Sequence, residues 1–150
     1  MPNTDYSLPP HNVEIEKSIL SGLLTAQEYE LFDVLKPEHF YRGPHQTIFA
    51  ACQKVYEREK VIDIALVAHQ IGGELERIGG YGFLLQLLDE PTPISTAAYC
   101  DKLVGFYKLR RLIEASNAAI KRSLAALPDE FDSVIDYLSA QISDLSSGRT

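Results

Sequence analysis

One hundred and fifty residues, 45% hydrophobic and 23% charged, with 9 Gly, 8 Pro and no Trp, have the composition of one globular domain and not of a disordered chain. A chain this long removes roughly 68–70% of its unfolded surface from water, enough for a core without disulfides or metal. Two cysteines, Cys52 and Cys100, with no secretory leader, read as reduced intracellular thiols, and the uncharged stretch 78–88 is shorter than the ~18–20 apolar residues of a membrane span. Fourteen basic against 21 acidic residues give −7, the wrong sign for a chain that grips nucleic acid tightly.

The charge is unevenly spread. Residues 1–95 sum to −7, residues 96–127 to +4 (Lys102, Lys108, Arg110, Arg111, Lys121 and Arg122 against Asp101 and Glu114), and residues 128–150 to −4.

In chain order, residues 1–11 lack periodicity and read as a flexible arm, with Pro2, Pro9 and Pro10. Asn12 is placed to cap a helix in which Val13, Ile19, Leu20, Leu23 and Leu24 recur at helical spacing, with Glu14 and Glu16 in the first turn. A short helix is expected over about 27–36, stopped by Pro37, and a third from Pro44, with Ile48, Phe49, Cys52, Val55 and Tyr56 on one stripe. Asp63 caps a fourth, residues 64–71, that ends at Gly72-Gly73; its Val61-Ile62 lead-in is the only strand-like text. A turn or two over 74–78 and a leucine-rich helix over 81–88 complete a head of residues 12–93.

From Ser95 or Thr96 to Leu127 there is no proline and one glycine, Gly105. A single helix there is about 48 Å long, longer than a head of this size is wide, and must project. Positions 99, 103, 106, 110, 113, 117, 120, 124 and 127 alternate by four and three and form a coiled-coil seam interrupted by Arg110 and Asn117. Pro128 turns the chain, Asp129 caps a second arm, and Phe131, Ile135, Leu138, Ile142 and Leu145 repeat the alternation. The expected fold class is therefore all-α: a small bundle of short helices followed by a projecting antiparallel helical hairpin, residues 94–146, with 147–150 the start of a linker. Tyr99, Leu103, Phe106, Ile113 and Ile120 of the first arm and Phe131, Ile135, Leu138 and Ile142 of the second are the expected hairpin seam.

Val104, Tyr107, Leu112, Val134 and Tyr137 lie off that seam. At ~1.5–3 kcal/mol per buried side chain, five such residues suffice to drive two hairpins into a four-helix arrangement, so they are the expected subunit or partner interface. The competing arrangement, the hairpin folded back on its own head, uses the same residues. Lys108, Arg110 and Arg111, interleaved with Phe106 and Tyr107, are the one stretch resembling a nucleic-acid contact, weighed against a plain solvated helix face.

No catalytic residues and no metal site are expected. The phosphate-loop pattern GxxxxGK[ST] does not occur, and Gly79-Gly80-Tyr81-Gly82 lacks the following Lys-Ser or Lys-Thr. His11, His39, His45 and His69 show no metal-ligand register and read as surface or packing residues, and a catalytic Cys–His pair has no advertised cleft.

The order of motifs resembles the N-terminal domain of bacterial replicative DNA helicases of the DnaB family. Residues 9–16 (PPHNVEIE) with 21–24 (SGLL) resemble the family's opening helix; residues 35–41 (LKPEHFY), then His45, Ile48-Phe49 and Tyr56, its next segment; Val61-Ile62-Asp63 and residues 73–80 follow in order; Tyr99 with residues 109–113 (LRRLI) resembles its long-helix signature. Ile94-Ser95-Thr96-Ala97 departs from the asparagine often found before that helix, and Gly105 from a charged helix former.

The resemblance implies a collar of paired helical hairpins on a hexameric ring, homo-oligomerisation, and docking of the helicase-binding domain of primase. ATP and Mg belong to a separate C-terminal motor domain of the parent, with no cofactor in this chain. DNA contact is expected to be weak or indirect, without membrane contact, in a cytoplasmic protein. The alternative is a free-standing helical adaptor that binds a helicase or its loader.

Overall fold

The computed structural model of the chain describes residues 8–147; most of the expected arm and the end of the expected linker lie outside the described residues. Among those residues there is no strand, and the fold is all-α. The chain divides into two compact units, one of residues 11–107 and one of residues 1–10 with 108–150.

In the larger unit, α1 (Val13–Ala26) opens as its sequence dictates: the Asn12 side chain accepts a hydrogen bond from Ile15 N at 3.0 Å, taking up one of the four unpaired donors of the first turn. The helix ends on Gln27, whose left-handed backbone (φ 53°) stops it before the predicted second helix can begin. That expected helix over 27–36 shrinks to α2 (Leu31–Val34), followed by a 3₁₀ turn at Pro37–His39. Gln27 also accounts for the strand-like Val61-Ile62. Its amide accepts from Ile62 N (3.0 Å) and donates to Ile62 O (2.9 Å), so an extended residue finds a side chain where a strand neighbour would be.

Helix α3 (Gly43–Glu59) buries Ile48, Phe49, Cys52 and Val55 along the stripe the spacing predicts, against α1 and α4 (Ile64–Ile71). Asp63 caps α4 through Leu66 N at 3.0 Å. Then come α5 (Leu75–Ile78) and α6 (Gly80–Leu88), separated by Gly79 at φ 128°, where a Cβ would lie 2.8 Å from that of Phe83. Ile19, Leu20 and Leu23 of α1 meet Leu84 and Leu87 of α6 in the same core.

The long helix, α7 (Thr96–Ala125), is continuous through Gly105, and its first three turns belong to this unit. Cys100 and Leu103 are buried in the head core, and Tyr99 and Val104 pack on it half-buried. The unit boundary therefore falls inside α7, not ahead of it at residue 94. In the smaller unit, α7 continues to Ala125, a 3₁₀ turn follows at Pro128–Glu130, and α8 runs Phe131–Ser146. The residue that precedes α8 is Glu130, not the expected cap Asp129, and its side chain caps nothing in α8 but accepts at Oε1 from Leu127 N at 2.7 Å.

One polar group in the head is wholly buried and wholly used. Glu16, 1% exposed, accepts from Tyr41 N at 2.6 Å and Arg42 N at 3.3 Å, and its Oε1 lies 2.7 Å from Nδ1 of His45, also 1% exposed. A carboxylate from α1 thus ties down the end of the loop ahead of α3 and fixes an imidazole of α3. Removing one partner of such a buried pair strands the other, so Glu16→Ala is expected to lose about 3 kcal/mol of stability in urea denaturation. Glu16→Ala combined with His45→Ala should cost clearly less than the sum of the single losses; simple additivity would contradict the coupling.

Candidate interaction surfaces

The expected seam and interface sort differently in the two units. In the head, Leu103 is buried and Tyr99 half-buried against the core of its own unit, so these two are not members of a hairpin seam there, and Phe106 is half-buried. Tyr107, expected as a contact to a second subunit, is 6% exposed: its hydroxyl donates to Glu38 Oε2 at 3.1 Å and its ring meets the edge of His39 at 4.9 Å. Val104 packs on the same core. A ring with a hydroxyl buries well where a carboxylate waits for the hydroxyl, and the loop at Pro37–His39 supplies one.

In the smaller unit, the hairpin turns over the predicted faces. Ala115 and Ala119 are the buried residues of α7 there, and Val134, Tyr137, Leu138, Gln141 and Leu145 form the half-buried stripe of α8. Ala126 and Val134 line one groove, and the Arg122 guanidinium lies 3.8 Å over the ring of Tyr137. Those two contacts run antiparallel, Ala126 near Val134 and Arg122 near Tyr137. Val134 and Tyr137 are thus on the inside of the hairpin, where an outer interface was expected.

The large apolar residues expected inside are outside. Ile113, Ile120, Leu124 and Leu127 of the first arm and Phe131, Ile135 and Ile142 of the second are 43% to 84% exposed, and Leu112 is 41% exposed; of the second-arm seam only Leu138 turns in. A heptad count picks out the greasiest row of each arm and carries no information on which face the other arm takes. Near the turn, Leu127, Phe131 and Ile135 line the same open groove as Ala126 and Val134, about 500 Å³ in volume.

The basic run is largely occupied within its own unit. Arg110 Nη1 donates to Pro10 O at 2.8 Å, pinning the end of the N-terminal arm, and Arg111 Nε lies 3.8 Å from Glu114 Oε1; Lys108 is half-buried. His39 and His45 are packing residues, buried, and His11 stacks on Tyr41 at 4.0 Å. The pairing of His45 with Glu16 across 29 residues had no local signal in the sequence.

Neither thiol is poised for chemistry. Burial pushes Cys52 up to about 12, and burial first, then the charges of Asp101, Glu28 and Glu30, pushes Cys100 up to about 11. Among the described residues no group of three or more His, Cys, Asp or Glu is placed to hold a metal ion, and no helix is long and apolar enough to cross a membrane.

If the hairpin closes through Arg122 and Tyr137, a double-mutant cycle of Arg122→Ala and Tyr137→Ala by urea denaturation should return a coupling of about 0.5–1 kcal/mol. A coupling of zero would contradict the register given above.

Comparison with known proteins gives a consistent answer. Residues 8–104 match the family model described as the DnaB-like helicase N-terminal domain. The chain is 30% identical over 143 residues to the replicative DNA helicase DnaB of Rhodothermus marinus, covering 93% of this chain and 15% of that protein. It is 31% identical over 147 residues to the DnaB of Geobacillus stearothermophilus, covering 95% of this chain and 32% of that one. The chain therefore spans under a third of the length of these relatives. The crystal structure of the N-terminal domain of DnaB helicase from Mycobacterium tuberculosis superposes with a TM-score of 0.81 at 31% identity, over 91% of this chain and 99% of that one. A structure of a DnaB-like replicative helicase, described with its interactions with primase, shares the fold at a TM-score of 0.71 and 21% identity, over 91% of this chain and 31% of that one. The chain belongs to the DnaB-like helicase N-terminal domain family.

Proposed function

We propose that this chain is the N-terminal collar of a hexameric replicative DNA helicase, working through association with its own copies and by receiving the helicase-binding domain of primase. Its contribution is positional: it carries no nucleotide chemistry, and ATP and Mg are handled by a motor domain elsewhere in the parent protein. Family membership and the full coverage of a solved N-terminal domain support this reading, and the description of a fold neighbour together with primase supports the docking partner. A role in replication puts the protein in the cytoplasm. DNA contact is weak or indirect, in keeping with a charge of −7 and with the engagement of Arg110 and Arg111 inside the chain.

The observation that carries the proposal is the exposed apolar surface of the hairpin. Ile113, Ile120, Leu124, Leu127, Phe131, Ile135 and Ile142 lie open, seven large apolar side chains on one hairpin. Covering them recovers ~25 cal/mol for each Å² of apolar area removed from water, and a second hairpin of the same sequence brings a matching surface. Subunit contacts are thus assigned to this outer face, in place of Val104, Tyr107, Val134 and Tyr137.

Light scattering tests it. Phe131→Asp with Ile135→Asp should reduce the parent's mass toward the monomer while leaving the far-ultraviolet circular dichroism unchanged, because both side chains are exposed. Titration calorimetry with the primase helicase-binding domain should give heat of binding with the parent. An unchanged mass would remove the assignment of the outer face, and absence of binding would remove the docking half of the proposal.

A further inference from the structure

Within the unit of residues 11–107, α2 and the first turn of α7 enclose an open groove of about 450 Å³ that self-association through the hairpin does not use. Its floor is apolar, made by Leu31, Val34, Ala97 and Cys100, and its rim carries the exposed carboxylates of Glu30, Asp33 and Asp101. No lysine or arginine is among the residues lining it. Val34 is 58% exposed at its edge, and Ile94, three residues ahead of Ala97, is fully exposed.

The positive end of α7 does not offset this rim, since Glu28 is already there: its Oε2 accepts from Thr96 Oγ1 at 2.8 Å. The carboxylates are not grouped to hold a metal ion. They stand around an apolar floor, the arrangement that recognises a side chain with grease in its middle and positive charge on both flanks. We propose that this groove docks a segment of another protein in which aliphatic residues are flanked by lysine or arginine. The aliphatic side chain covers Leu31, Val34 and Cys100, and the flanking cations face Glu30, Asp33 and Asp101. The same unit of a second copy fits less well, because it carries fourteen acidic against eight basic residues and presents mostly like charge to the rim.

The test uses the whole 150-residue chain and a fluorescein-labelled synthetic peptide with two leucines between Lys-Arg pairs. A control peptide carries Glu-Asp pairs instead. The basic peptide should bind, shift the amide resonances of residues 30–34 and 96–101, and release as salt is raised. Neutralising the rim with Glu30→Gln, Asp33→Asn and Asp101→Asn should weaken binding about tenfold, from three exposed ion pairs. Val34→Ser should weaken it roughly fivefold by removing apolar contact. Both variants should keep the parent's circular dichroism.

Equal binding of the acidic peptide, shifts spread over the whole acidic surface, or affinity untouched by the rim substitutions would overturn the proposal. So would a loss on neutralising the rim without any loss in Val34→Ser, which would mean ion pairing with no groove. A change in the parent's mass on light scattering caused by the rim substitutions would also overturn it, by making the occupant a second copy.

Discussion

A helix in a two-helix hairpin can bury only one of its faces, and here that face is made of alanine. Past residue 107 the buried residues of α7 are Ala115 and Ala119, and Arg122 lies over Tyr137 of α8. Everything bulky and aliphatic on the first arm past residue 112 is left looking outward. In the single chain that apolar area stays in water, at ~25 cal/mol for each Å² that a partner would cover.

The head follows the opposite logic, with its apolar side chains turned in and its key polar group sealed. Glu16 joins the end of one loop, the start of α3 and His45 through contacts of 2.6 to 3.3 Å. Because Tyr107 is hydrogen-bonded to Glu38 and set against His39, the first turns of α7 are fixed to the same unit. The part of the long helix that was expected to project from residue 94 is instead built into the head for three turns.

Much of this fold was legible because local rules govern it. Asn12 and Asp63 cap the helices they precede, the glycine pairs and prolines stop them, and the α3 stripe is buried as spaced. What was illegible is non-local. Gln27 ends α1 in a left-handed backbone and pairs with Ile62, thirty-five residues on, and Glu16 reaches across to His45. The hairpin seam misled for a different reason. Heptad counting weighs hydrophobicity alone, so it selected Ile113, Ile120, Phe131, Ile135 and Ile142, which the fold leaves exposed. The acidic groove left no sequence motif at all, since Glu30 and Asp33 come together with Asp101 only in the folded chain.

Cysteine capture measures directly whether a second copy of the same chain covers the outer face of the hairpin, as proposed. Cys52 and Cys100, held by burial at about 12 and about 11, stay silent at neutral pH, so an introduced thiol reports alone. With a short bis-maleimide, Ile135→Cys should be trapped as a covalent dimer, whereas Glu57→Cys, exposed on α3 of the head, should remain monomeric. Equal yields from the two positions, or no dimer from Ile135→Cys, would contradict the account.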